Sequence, residues 1–166
     1  MEVILYNDQY QSQLKELLTN FEKEVEFKSN SLDDDLLEMV EEDVTNTLHQ
    51  IELGNDGCYL ALSSANKVVG FQLTHLYNNE ADNKIKPGDL ELSRLYVHPQ
   101  FRKKGIARML DEHCLERVKE VDGINRVITF VEEGNPNMFL KKELGFRKCF
   151  GYQDGSRIYN FFNKSI

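Results

Sequence analysis

Apolar residues along this chain fall into two periods. Tyr10, Leu14, Leu17, Leu18, Phe21 and Val25 keep helical spacing, and so do Leu36, Leu37, Val40, Val44, Leu48 and Ile51. Asp8, with Gln11 three residues on, predicts the start of the first of these helices, and Ser31 caps the second. Shorter apolar runs bounded by turn residues predict strands over Val3 to Tyr6, Cys58 to Ser63 and Val68 to Leu76. Asn55-Asp56-Gly57 makes the turn before the second strand, and Ser64 to Lys67 the hairpin loop after it. The polar stretch from Tyr77 to Lys86 has neither period and predicts a mobile loop ending in Pro87-Gly88-Asp89.

The pattern is most informative from Leu90 to Val118. Leu90 and Leu92 share one face of a strand, and then Leu95 and Val97 take over on the other. Such a change of phase predicts a bulge, where a partner strand splays away. Ile106, Leu110, Cys114 and Val118, with Ala107 and Leu115 beside them, then recur at helical period behind Gly105. Asp122-Gly123 turns the chain into an apolar strand over Val127 to Val131. Asn135-Pro136 supplies a cap and a first position for a last helix, and Gly145 in Leu144-Gly145-Phe146 ends it. Two strands, near Arg147 to Phe150 and Arg157 to Phe162, flank a turn at Asp154-Gly155. The order is strand, two helices, three strands, helix, strand, helix, two strands. It predicts an α/β fold: a mixed, largely antiparallel sheet with a bulged fourth strand and about four flanking helices.

Composition narrows the class. The 166 residues, 40% apolar and 29% charged, suit one globular domain spanning residues 1–166. Met1-Glu2-Val3 opens no basic leader, and no apolar run is long enough for a membrane span. Three widely spaced cysteines, Cys58, Cys114 and Cys149, argue against a disulfide framework and for small core residues in a reducing, cytoplasmic setting. A net charge of −8 disfavours a nucleic-acid partner. The four histidines have no metal-ligand spacing, and no metal is expected.

Against that acidic background, Arg102, Lys103, Lys104 and Arg108 gather at the start of the central helix. Helix starts are already partly positive, so this cluster repels itself until an anion neutralises it. Gly105 lets a backbone approach such an anion without a Cβ in the way. None of the ten glycines stands in G-x-G-x-x-G or in G-x-x-x-x-G-K-[ST] spacing.

Arg102-x-x-Gly105-x-Ala107, after Leu95-Tyr96-Val97-His98-Pro99, resembles the pyrophosphate loop of the GNAT superfamily of N-acetyltransferases, whose pattern is Gln/Arg-x-x-Gly-x-Gly/Ala. The element order resembles that family over nearly the whole chain. The resemblance implies an acetyl-CoA-dependent transferase acting on a primary amine of a small molecule or an exposed protein amine. It places acetyl-CoA against the backbone of Leu95, Tyr96 and Val97 and the loop Arg102, Lys103, Lys104, Gly105, Ile106, Ala107 and Arg108. Asn135 resembles an asparagine that contacts the cofactor, and the role of a plain helix cap is equally open to it. Glu91 occupies the position of a base found in some members; the alternative is an exposed edge glutamate or one buried beside Arg94. A tyrosine acid common four residues before the Gly-Phe pair is replaced here by Lys141, leaving Tyr152 or Tyr96 as substitutes, with packing roles as the alternative. The acidic face of the second helix (Asp33, Asp34, Asp35, Glu38, Glu41, Glu42, Asp43) is either solvated or flanks a cleft for a cationic acceptor. Two rival functions stand beside this one: a non-catalytic acyl-CoA-binding module, and a toxin-type member acetylating aminoacyl-tRNA. A homodimer is compatible with all three.

Overall fold

Among the described residues, the seven strands and four helices follow the expected order. The computed structural model describes residues 1–28, 33–79 and 84–166. In it β1 (Glu2–Leu5) precedes α1 (Gln11–Phe21) and α2 (Asp34–Glu52). Then come β2 (Asp56–Leu62), β3 (Val68–Leu76), β4 (Asp89–Val97) and α3 (Ile106–Val118). The chain ends with β5 (Arg126–Glu132), α4 (Asn137–Glu143), β6 (Arg147–Asp154) and β7 (Arg157–Ser165). The strands are hydrogen-bonded in the order β1-β2-β3-β4-β5-β7-β6. The β1–β2, β5–β7 and β6–β7 pairs are antiparallel and β4–β5 is parallel, so the fold is a mixed α/β arrangement.

The chain forms two compact units, Met1–Leu73 with Leu95–Leu110, and Thr74–Arg94 with Asp111–Ile166. In the first, strand alternation sends Leu60, Leu62 and Phe71 into one core with Leu14, Leu18, Val40 and Val44 from α1 and α2. The intervening Ala61 and Val69 join Val97, Ile106 and Leu110 in a second. Phe21 meets Phe71 and Tyr96 edge-on, with ring centres 6.0 and 6.2 Å apart. Asp8 does not cap α1: it lies inside a 3-10 turn, Asp8–Tyr10, whose hydrogen bond runs from the Tyr10 N–H to the Asn7 carbonyl. Past Phe21 the helix widens into a π turn, Glu22–Glu26, that the apolar period does not announce. Ser31 lies outside the described residues, and the cap seen on α2 is Asp33, whose carboxylate accepts from the Leu36 N–H at 3.0 Å. Leu37, expected on the buried face of α2, is exposed.

In the second unit β5 pairs with β7 along its whole length, from Arg126 to Glu132, while its parallel pairing with β4 covers only Asp89 to Glu91. Just beyond, the Leu92 carbonyl accepts from the Thr129 hydroxyl at 2.9 Å. Ile85, Ile128 and Phe161 form the core here, with Tyr77, Phe130 and Phe150 against it. Tyr77 is therefore not part of a mobile loop: its N–H donates to Asp89 and its carbonyl accepts from Gly88, which extends the ladder. The tip of that expected loop, residues 80–83, lies outside the described residues. Cys58 and Cys114 are buried as expected, whereas Cys149 is exposed on β6.

Candidate active site

In the first unit, β4 delivers the chain into a tightly held loop. The His98 N–H donates to the Val69 carbonyl at 2.9 Å, and Pro99–Phe101 makes a 3-10 turn. Lys103 and Gly105 then both take left-handed backbone conformations, with φ of +60° and +78°. Left-handed residues in a turn aim successive N–H groups into one concavity, which suits an anion. A Cβ at Gly105 would meet nothing within 4 Å, so the space above it is open. The Gly105 carbonyl accepts from the Met109 N–H at 3.0 Å, which makes Gly105 the cap of α3. The N–H groups of the first turn, Ile106 to Arg108, have no acceptor within the helix. Beneath them Ile106 is buried and Ala107 half-buried, so the turn is anchored from below.

Gly70 on β3 carries part of this shape. A Cβ there would stand 2.9 Å from the Tyr96 carbonyl oxygen and 3.3 Å from a Val97 methyl. Only a glycine lets β3 pass so close beneath the exit of β4. The sequence pattern did not single it out, although a glycine inside an apolar strand run marks such a close approach.

Arg102 is engaged on several sides. Its two terminal nitrogens donate to the Glu24 carboxylate at 2.6 and 2.8 Å, and its Nε donates to the Val97 carbonyl at 2.8 Å. The Tyr96 hydroxyl donates to the same Glu24 carboxylate at 2.9 Å, and the Arg102 guanidinium lies 5.3 Å from the Tyr96 ring centre. Burial, and then the bond to Glu24, push the Tyr96 hydroxyl up to about 12. Lys104 Nζ donates to the Gln100 carbonyl at 3.3 Å and lies over the Phe101 ring. Nothing in the sequence pattern pointed to Glu24, because the link spans 78 positions.

In the second unit, Glu91 on β4 accepts a hydrogen bond from the Tyr77 hydroxyl at 2.8 Å. Tyr152 on β6 stacks on Tyr159 and meets Phe130 edge-on. Its hydroxyl is raised above the usual tyrosine range, first by burial, then by the charges of Tyr159, Asp154 and Glu91. Asn135 accepts from the Asn137 N–H at 2.9 Å through its side-chain oxygen, a capping contact at the start of α4. Lys141, in the place of the common tyrosine, is buried and bonded to both oxygens of Asp111 at 2.7 Å. Burial raises the Asp111 carboxyl while Lys141 opposes the rise, and burial also raises the Cys114 thiol one turn along α3. Among the described residues no cluster of His, Cys, Asp or Glu could hold a metal ion, and no helix is long and apolar enough to cross a membrane.

The sequence pattern of the acetyltransferase (GNAT) family matches residues 17–146. No curated protein matches the sequence. Among solved structures, the chain is similar to a ribosomal-protein-alanine N-acetyltransferase from Brucella melitensis, at 18% identity and a TM-score of 0.75, with 100% of both chains covered. It is similar to a PaiA N-acetyltransferase from Thermoplasma acidophilum in complex with coenzyme A, at 18% identity and a TM-score of 0.70, again covering 100% of both. A spermidine N-acetyltransferase chimera from Vibrio cholerae and hSSAT is similar at 14% identity and a TM-score of 0.68, with 99% of this chain and 96% of that one covered.

Proposed function

Because this chain belongs to the GNAT family of acetyltransferases, we propose that it moves an acetyl group from acetyl-CoA to a primary amine of a small molecule or an exposed protein amine. The observation that carries this reading is the loop from Lys103 to Arg108. Its two left-handed residues, its open face at Gly105 and its cation-dense helix start fit a pyrophosphate in shape and charge. The backbone N–H groups of Lys103 to Arg108 would hold that group, and the backbone of Leu95, Tyr96 and Val97 would bind the pantetheine arm. Acetyl-CoA supplies the acyl group as a thioester, already activated towards an amine.

The acceptor must be neutral at nitrogen to attack. Glu91 takes its proton, and the Tyr77 hydroxyl bonded to Glu91 Oε2 fixes the orientation of that carboxylate. Tyr152, with its hydroxyl raised, stays protonated at working pH and acts as a hydrogen-bond donor to the departing sulfur. Full proton transfer from it to a thiolate of pKa about 8.5 runs uphill, so the base carries more of the reaction than the acid. The exposed acidic face of α2 favours a cationic acceptor, in a cytoplasmic setting. The amines named for the alanine and spermidine transferases it resembles are of that kind.

A second reading, an acyl-CoA-binding module without turnover, draws on Lys141, which is locked to Asp111 where the family has an acid. The two separate in one experiment. The protein is incubated with acetyl-CoA and a panel of polyamines, peptides with free N-termini and neutral amines, and products are read by mass. Coenzyme A affinity is measured calorimetrically for the wild type and Gly105→Val. Acetylated product, with affinity at least tenfold weaker in the variant, is expected, because a branched side chain cannot adopt φ of +78° without strain and fills the open face. Tight binding without product on any amine selects the second reading; unchanged affinity in a folded Gly105→Val protein removes the loop from both.

A further inference from the structure

The π turn after α1 places a carboxylate on the loop. From Glu22 to Glu26 the helix takes an extra residue in its turn, which resets the phase of the side chains that follow. Val25 and Phe27 still reach the core, and Glu24, one residue ahead of Val25, meets Arg102. Single π turns inside α-helices are uncommon and concentrate at functional sites. What Glu24 holds is all local to the proposed donor loop: the fork of Arg102 and the hydroxyl of Tyr96. Arg102 in turn holds the Val97 carbonyl through Nε.

Resting on the reading of this loop as the acetyl-CoA site, we infer that Glu24 is a positioning residue that shapes it by gripping Arg102 and Tyr96 together. Two of the five N–H donors of the Arg102 guanidinium go to Glu24 and a third to the Val97 carbonyl, and the Tyr96 ring packs on its face. Arg102 thus serves as a strut, and the pyrophosphate is left to backbone N–H groups and the neighbouring cations. The grip neutralises one of four crowded cations without obstructing the first turn of α3. It also ties the end of β4 to the start of the turn in which Lys103 takes φ of +60°, a conformation that persists only where its surroundings impose it. An isolated exposed ion pair contributes little, but a bidentate pair within a network is the exception. Both side chains are about 40% exposed, so Glu24 adjusts the geometry of the loop more than it holds the fold.

The test is a double-mutant cycle. Coenzyme A affinity is measured calorimetrically for wild type, Glu24→Gln, Glu24→Asp, Arg102→Gln and the Glu24→Gln/Arg102→Gln double variant, with thermal melts to check folding. Steady-state kinetics with acetyl-CoA varied at saturating amine accompany them. Glu24→Gln is expected to weaken binding about tenfold, the same factor appearing in the acetyl-CoA KM while kcat at saturating amine holds. Glu24→Asp, which keeps the charge, recovers part of the loss. The double variant loses no more than the worse single one, because Glu24 acts through Arg102. Unchanged binding in Glu24→Gln overturns the inference, as do losses that multiply in the double variant. Tighter binding also overturns it, since Arg102 is then a phosphate ligand that Glu24 withholds. Wild-type protein that fails to bind coenzyme A removes the cofactor reading itself, and this inference falls with it.

Discussion

Deprotonating an amine of pKa about 10.4 at pH 7 costs about 4.6 kcal/mol, whereas releasing a thiolate of pKa about 8.5 costs about 2 kcal/mol. A proton acceptor therefore has more to contribute than a donor, and the proposed acceptor is Glu91, which the Tyr77 hydroxyl bonds. Glu91→Gln keeps the shape and removes the ionisable group. Turnover is expected to fall about a hundredfold while coenzyme A affinity holds, and part of the loss should return at high pH, where free amine is abundant. Tyr152→Phe should cost less. Normal turnover of Glu91→Gln at every pH, with Tyr152→Phe inactive, reverses these roles. Glu24 makes a second residue-scale expectation, about stability. The hydrogen bonds from Arg102, the largest cause, hold its carboxyl below the usual range in the folded protein. Its contribution is then fully present above the unfolded value, near 4.3, and is lost as pH falls through the lower folded value. In urea titrations the stability gap between wild type and Glu24→Gln should be constant from about pH 8 to 5 and close in stronger acid. A gap that persists undiminished into that acid range means the pair contributes nothing through its charge.

Between elements, the buried pair Lys141–Asp111 clips α4 to α3. Its side chains are 3% and 0% exposed, so neither charge has water to fall back on. Breaking one side strands the other charge, and Lys141→Met is expected to cost about 3–5 kcal/mol in chemical denaturation. Replacing both, as Asp111→Leu with Lys141→Met, should recover most of that loss, since a well-packed apolar pair avoids the desolvation altogether. If the double variant is as unstable as Lys141→Met alone, the ion pair is not what the site requires. At the position where the resemblance places a tyrosine, the chain thus carries a buried, paired lysine.

For the molecule as a whole, the net charge of −8 and the exposed acids of α2 form a field that attracts cations. For the proposed cationic acceptor the KM should therefore rise as salt is added, because screening shortens the reach of that field to about 8 Å at 0.15 M. A neutral amine serves as control, and its KM should stay level. Equal salt dependence for both, or turnover of neutral and anionic amines only, removes the steering argument.

The sequence by itself determined the order of elements, because period two and period 3.6 are local properties of a few neighbouring residues. Val68 to Leu76 is a strand as expected, Ile106 to Val118 keeps its helical face, and the Gly145 cap is in place with φ of +84°. The cation cluster at Gly105 was legible for the same reason: the basic residues, the glycine and the helix start fall within one short run. Tertiary structure decided everything that depends on residues distant in the chain. It paired Glu24 with Arg102, Tyr77 with Glu91 and Asp111 with Lys141, across 78, 14 and 30 positions. It also brought β3 so close beneath β4 that Gly70 has no room for a side chain. A carboxylate reads alike in sequence whether solvated or committed to a partner; only the packing of its surroundings, which desolvates it and supplies donors, tells them apart.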